Sequence, residues 1–433
     1  MPLKKLKPVD PLKLYSALRD LRMPFMLRSA EKDSRKARFT YISAEPEFVV
    51  EIGEGTELDG ERVSDERNPF MALKGLMGER IYGRRFMGGF VGYVSYDSVH
   101  SVIGGKIEEP SVFGYYPWTF IYDHSTGGLS FFYLGKAPFD PEAIVERARR
   151  RELRFEDGSS EVISTDAGME DFIEMVRAGK EYIYSGDVFQ VVLSREYRVR
   201  TELDALEIYG RLVELNPSPY TFILEFEKTV VGASPETMGS VEGRTFKINP
   251  IAGTAPRGRN EKEDRELEKA LLSDEKERAE HVMLVDLARN DVRRVSKSGS
   301  VRLVRFFDVL KYSHVQHIES EVVGELDDGK DAFDAMEAAF PAGTLTGAPK
   351  IRAMEIIDEL ERSRRRVYGG AVGYFSLTGD ADMAIAIRMA EIEGRKASVR
   401  AGAGIVADSV PEKEFFETEN KMRAVLKALG VEG

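Results

Sequence analysis

No cysteine occurs among the 433 residues. Disulfides, thiolate metal sites and cysteine nucleophiles are excluded outright. Long apolar runs are absent too: the opening MPLKKLKPVDPLKLYSALRD is broken by charge and proline, and no segment nears the roughly 20 apolar residues that span a bilayer. With no secretion or membrane address visible, a soluble cytoplasmic protein is expected. A basic tract is also lacking, and the net charge is −12. Nucleic acid is not an expected partner, because its binding rests on Lys and Arg neutralising phosphates. The same charge opposes an anionic substrate at long range, so local cations would have to bind one.

What is present is 42% hydrophobic residues, enough for a large core in two or three domains or one large one. The 31% charged residues, together with the missing cysteine, are compatible with a hot-living source. FMGGFVGYVSYD (Phe86 to Asp97) reads as strands with tight turns. The region to about residue 140 reads as sheet-rich. A charged segment then runs into Asp157, Gly158 and Ser159, which places a boundary between about 155 and 165, dividing regions 1–160 and 161–433. Beyond it, VFQVVLSREYRV predicts a strand with Gln190, Val192 and Ser194 on one face. The clearest helix follows PAGTLTGAPK, with Ala353, Ile356, Ile357 and Leu360 on one side.

Two stretches, EKERAEH and EKEFFETENK, place Glu277/Glu280 and Glu414/Glu417 three residues apart on predicted helices. Converging carboxylates suit Mg²⁺, a hard cation that takes oxygen ligands. Any one of them alone reads better as a solvated surface acid. Glu280, however, lies over Leu284 and Leu287 on a face that should be buried, and a buried carboxylate needs a cation, a metal or a raised pKa. In ADMAIAIRMA, strand alternation puts Arg388 among Ala384, Ala386 and Ala390. Such a guanidinium either captures a carboxylate bidentately or sits on an exposed face paired to surface acids.

RAGAGIVADS matches G-x-G-x-x-A but lacks the βαβ context of a dinucleotide site. Its glycines read better as letting backbone N–H groups approach an anion. GTLTGAPK departs from a phosphate loop at Lys350 and Ile351. Thr344 and the following helix start either bind an anionic group or form a cap and turn. His314 and His317 would point to opposite faces of a strand, which argues against zinc; one of them serves as a base, or both are structural.

Taken together, GDVFQVVLS, NPSPYTF, GASPE, NPIAGTAPRG, AEHVMLVDLARND, SHVQHIES, PAGTLTGAPKIRAMEIIDELE, YGGAVGY, AIAIRMA and RAGAGIVADSVPEKEFFETENK resemble the chorismate-utilising enzymes. The motifs follow the family's order from about residue 165 to 427, and FMGGFVGYVSYD is similar to its amino-terminal signature. The resemblance implies an α+β fold with large antiparallel sheets in a sandwich-like arrangement and surrounding helices. It makes 1–160 a sheet-rich region with a tryptophan site and 161–433 the chorismate-binding catalytic region. The reaction it implies is Mg-dependent conversion of chorismate and ammonia to anthranilate and pyruvate, in tryptophan biosynthesis.

By that resemblance, Glu280 and Glu417 hold the metal, with Glu277 and Glu414 supporting directly or through water. Arg388, Tyr368, Thr344, Lys421 and the backbone from Gly402 through Ala403 to Gly404 match carboxylate-binding positions. Glu236 matches the acid that releases the 4-hydroxyl, Gln190 flanks the position of ammonia addition, and His317 matches the base. Water-using relatives carry lysine where Gln190 stands. Aminodeoxychorismate synthases, which serve folate biosynthesis and are the nearest alternative, usually carry lysine where Ala252 stands. Family glutaminases use a cysteine, so ammonia is expected from a separate glutamine amidotransferase subunit or free in solution. Ser29, Pro217 and Tyr220 would form the tryptophan pocket. Met26, Leu27 and Arg28 replace the family's usual LLE before Ser29, and Thr221 stands where methionine is common, which puts feedback inhibition in question. Outside the family, an oxidoreductase would rest on AGAGIVA alone, and a silent amino-acid sensor would leave chorismate untouched.

Overall fold

A computed structural model describes residues 3–28, 38–153, 158–311 and 315–431. Ser29 and His314 lie outside the described residues. Among the described residues, alternating apolar positions build two antiparallel sheets of twelve strands each. One face of the first meets the second through Phe25, Phe222 and Leu224 on one side and Val91, Tyr116 and Val372 on the other. Helices cover the outer faces, as the α+β sandwich expectation requires. Leu14, Val145, Leu212 and Met422 come from helices Pro11–Leu18, Pro141–Arg150, Ala205–Leu215 and Pro411–Ala428. Phe70, Val285 and Phe333 come from Pro69–Leu76, Glu275–Arg293 and Ala332–Ala339. Met169–Tyr184 and Lys350–Leu360 pack Phe172 and Ile356 against Val191, Leu193, Ala403 and Ile405. Each such side chain contributes about 1.5–3 kcal/mol on burial.

Residue 160 does not divide the sheets. Phe25–Arg28 pairs with Tyr220–Glu225, and Gly89–Val94, from the glycine-rich motif, pairs with Ala371–Ser376. Both sheets therefore draw strands from either side of the sequence boundary.

Two chain segments pass together from sheet to sheet. Thr229–Ser234 pairs with Met389–Glu393 in the first, while their continuations Thr237–Glu242 and Ala381–Ile385 pair in the second. At the crossing the Ile385 N–H donates to the Glu236 carbonyl and the Ala233 N–H to the Arg388 carbonyl, both at 3.0 Å. The unbroken strand expected through ADMAIAIRMA is thus corrected: it stops at Ile385 and resumes at Met389. Alternation fails between them because the chain is leaving one sheet for the other. Arg388 turns the corner with φ +52°, a left-handed conformation that costs a non-glycine residue on the order of 1–3 kcal/mol.

Candidate active site

A cavity of about 610 Å³ lies at this crossing and is lined by Gln190, Glu236, Ala252, Glu277, Glu280, His317, Thr344, Tyr368, Arg388, Gly402, Gly404, Glu414, Glu417 and Lys421. These fourteen residues, from ten separate stretches between positions 190 and 421, thus meet in one space. Two helices supply its acids other than Glu236. Asp274 caps the first, accepting from the N–H groups of Lys276 and Glu277 at 2.9 and 3.0 Å, and that helix turns Glu277, Glu280 and Leu284 inward. The second, opened by Pro411, turns in Glu414, Glu417 and Lys421 at the same spacing.

Burial raises the Glu280 pKa, and the charges of Glu277 and Glu417 push it further. Burial likewise raises Glu277, reinforced by Asp274 and Glu417. Glu414 is raised by burial too, against a hydrogen bond to Ser409, with Glu417 adding repulsion. The acids therefore oppose one another across the cavity, and the Lys421 ammonium, 2.5 Å from Glu417 Oε1 and 3.0 Å from the Gly402 carbonyl, offsets part of that charge. Among the described residues no three His, Asp or Glu side chains are drawn into a closed ligand cluster. The donors are nonetheless all carboxylate oxygens, the chemistry a hard divalent cation takes.

The opposite charge comes from Arg388, whose Nη1 donates to the Lys421 carbonyl at 3.2 Å. Burial pulls its pKa down. Glycine keeps space before it: a Cβ at 402 would lie 2.8 Å from the Leu193 carbonyl and 3.2 Å from the Tyr368 hydroxyl, and one at 404 would lie 2.5 Å from Gln190 Nε2. These glycines belong to strand Lys396–Ile405, antiparallel to Gln190–Arg200, so the dinucleotide reading has no βαβ unit to stand on. Ala403 was expected to act through its backbone alone, and alternation sends its side chain into the core beside Ile405.

Thr344 sits in the turn Gly343–Leu345 and does not cap a helix. Its Oγ1 donates to Glu236 Oε1 at 3.0 Å. The phosphate-loop reading also fails, because Lys350 Nζ turns to Asp291 at 2.9 Å and to the Ala339 carbonyl at 3.2 Å. Gln190 is 3% exposed at the start of its strand. Its Oε1 has no hydrogen-bond partner among the described residues.

A β-bulge between Ala252 and Ala255 turns the Gly253 carbonyl onto His317 Nδ1 at 2.8 Å. A carbonyl only accepts, so Nδ1 carries the proton and Nε2 is the basic nitrogen. Burial lowers the ring's pKa, the Gly253 bond opposes this, and Arg388 lowers it further. The His317 ring accordingly stays neutral as pH falls past 6.5, the ordinary histidine value. The acid limb of kcat/KM is expected below pH 6.5 and should vanish from the profile of His317→Gln. A limb at or above 6.5, or one unchanged in that variant, contradicts the assignment.

Sequence reasoning missed Arg400, which lines the cavity and donates from Nη1 to Ser194 Oγ at 3.1 Å. Its place on the same strand face as Gly402 and Gly404 was the available signal. Lys276 and Asn420 were missed as well, each one residue or three from a recognised glutamate.

A second cavity, of about 640 Å³, lies away from these residues and is lined by Leu27, Arg28, Pro219, Tyr220, Thr221 and Asp382 among others. The Tyr220 hydroxyl donates to Asp382 at 3.1 Å. Pro217 does not line it; Pro219 does. Pro217 lies in the turn before the strand, which begins only at Tyr220.

Residues 24–427 match the chorismate binding enzyme model, so the chain belongs to that family. It is 93% identical over 431 residues to anthranilate synthase component 1 of Thermococcus kodakarensis, which covers 100% of both chains. The crystal structure of anthranilate synthase component I from Streptococcus pneumoniae is similar at 34% identity, with a TM-score of 0.78 over 91% of this chain and 93% of that one. The menaquinone-specific isochorismate synthase of Escherichia coli, at 16% identity, shares the fold with a TM-score of 0.75 over 99% and 95% of the two chains.

Proposed function

We propose that the chain is the chorismate-converting component of an anthranilate synthase, forming anthranilate and pyruvate from chorismate and ammonia. One observation supports this reading: a single cavity gathers Glu236, His317 and Gln190 together with Arg388, Lys421 and the glutamates Glu277, Glu280, Glu414 and Glu417.

Arg388 and Lys421 receive the carboxylates of the dianionic ring, with backbone N–H groups near Gly402 and Gly404 completing the contact. Glu280 and Glu417 would hold Mg²⁺, with Glu277 and Glu414 beside them. When bound, the ion supplies charge neutralisation at a ring carboxylate. Glu236, oriented by Thr344, gives its proton to the departing 4-hydroxyl, which leaves as water. Ammonia adds at the 2-position, an N–H pointing at Gln190 Oε1, which has no donor among the described residues. The added ammonium gives up a proton, His317 Nε2 takes the proton from the 2-position, and the side chain leaves as enolpyruvate, which takes up a proton at its methylene to become pyruvate as the ring becomes aromatic. The water-activating lysine of other family members is not at Gln190, and Ala252 offers no amine for covalent capture of the ring.

Ammonia comes from a separate glutamine-hydrolysing subunit, since no cysteine is present to attack glutamine. Among the described residues no helix is long and apolar enough to cross a membrane, and the cytoplasm is the proposed compartment. Incubation with chorismate, Mg²⁺ and ammonium should yield fluorescent anthranilate and require all three. Accumulation of a non-fluorescent amino product would instead support aminodeoxychorismate synthesis.

The second cavity suits tryptophan, with Asp382 for its ammonium and the Tyr220 ring beside its indole. Asp382→Ala is expected to weaken tryptophan binding, measured by calorimetry, at least tenfold while the uninhibited rate stays within about twofold. Tryptophan binding unchanged in the variant would remove the assignment.

A further inference from the structure

We propose that Arg365, held by Glu361, is a positioning residue that sets the spacing between three walls of the chorismate cavity. This inference rests on the function proposed above. Arg365 is 2% exposed and does not itself line the cavity. Its Nη1 donates to the Leu345 carbonyl at 2.6 Å and its Nη2 to the Val192 carbonyl at 2.8 Å. Both acceptors belong to cavity residues. Leu345 follows Thr344, the partner of Glu236, and Val192 shares a strand face with Gln190. The third wall is Tyr368, whose ring centroid lies 5.9 Å from the guanidinium carbon and whose N–H donates to the Arg365 carbonyl at 3.1 Å.

The fork is fixed from behind. Glu361 accepts from Nε at 3.0 and 3.1 Å and from Nη2 at 2.6 Å. It accepts from the Ser194 N–H and Oγ as well, at 2.7 and 2.8 Å, which ties the pair to the strand carrying Gln190. On its other side the guanidinium lies 4.5 Å from the Tyr96 ring. Burying such a pair yields little net stability, because desolvation offsets the attraction. What the pair does supply is direction: a planar guanidinium with fixed N–H vectors addresses two carbonyls and one carboxylate at once. A lysine ammonium is a point charge without that fork, so it keeps the charge and loses the geometry.

The test is Arg365→Lys in the full chain, assayed with saturating Mg²⁺ and ammonium, alone and combined with Glu361→Gln, which keeps size and removes the charge. A misplacement of about 1 Å arising away from the chemistry costs about 10²-fold, so kcat/KM for chorismate should fall by about that factor while the melting curve stays cooperative. Because both changes act on the same ion pair, the double variant should lose little more than the worse single one. Activity within threefold of the parent in a folded Arg365→Lys, or losses that multiply in the double variant, overturns the proposal. So does failure of both Arg365→Lys and Glu361→Gln to fold, which would make the pair structural. If the unaltered chain makes no anthranilate, the functional reading falls and takes this inference with it, an outcome seen before any variant is made.

Discussion

Glu280→Gln is expected to lower Mg-dependent kcat/KM by about 10³-fold, on the basis that a metal contributes several kcal/mol of charge stabilisation and each 1.36 kcal/mol is tenfold. The fold should survive. Glu280 lies against Glu277 and Glu417, which with burial raise its pKa, so removing its charge in the metal-free protein relieves repulsion. Metal-free Glu280→Gln should therefore melt no lower than the parent. Stabilisation by added Mg²⁺, present in the parent, should be lost or much reduced. Glu417→Gln should behave alike in activity, although it also releases Lys421 from its 2.5 Å contact. Unchanged magnesium dependence in both variants would sink the metal assignment. Comparable loss in the metal-free melting point would recast these glutamates as structural.

The second large effect concerns Glu236, the proposed proton donor. Glu236→Gln should reduce kcat by about 10²–10⁴-fold, the usual contribution of a positioned general acid. Glutamine can still accept from Thr344 Oγ1, which lies 3.0 Å from the carboxylate, but it has no acidic proton to give the leaving hydroxyl. Chorismate affinity should change little, because the carboxylate clamp of Arg388 and Lys421 is untouched. Equilibrium binding alongside single-turnover rates separates the two effects. Retained single-turnover chemistry in Glu236→Gln would assign the acid elsewhere in the cavity.

Much of this site was legible in the sequence because it is built from local periodicity. Glu277 with Glu280 and Glu414 with Glu417 share helix faces by spacing alone, and Gln190 with Val192 shares a strand face. That the two helices face one another is a long-range fact, carried in the sequence only by the order of the family's motifs. Arg388 exposed the limit of alternation: its cavity position was anticipated for a strand residue, whereas the structure places it at a corner where period two no longer holds. At Ala403 alternation is strict and turns the methyl into the core, which leaves only the backbone, as expected, to meet an anion. Pro217 was a matter of where a turn ends, two residues before Pro219 lines the second cavity. Arg400 and Arg365 went unseen because a charged residue in a strand or after a helix reads as surface until its partners are known.

The paired crossing between the sheets has a mechanical meaning. Glu236 and Arg388 lie on neighbouring chains that leave one sheet and enter the other side by side, bonded to each other's backbone at both ends of the bend. A shear of one sheet over the other therefore carries Glu236 and Arg388 together, as two teeth on one gear. The distance between them is protected from breathing of the sandwich, while their distance to the helix-borne glutamates is the one that such motion can vary.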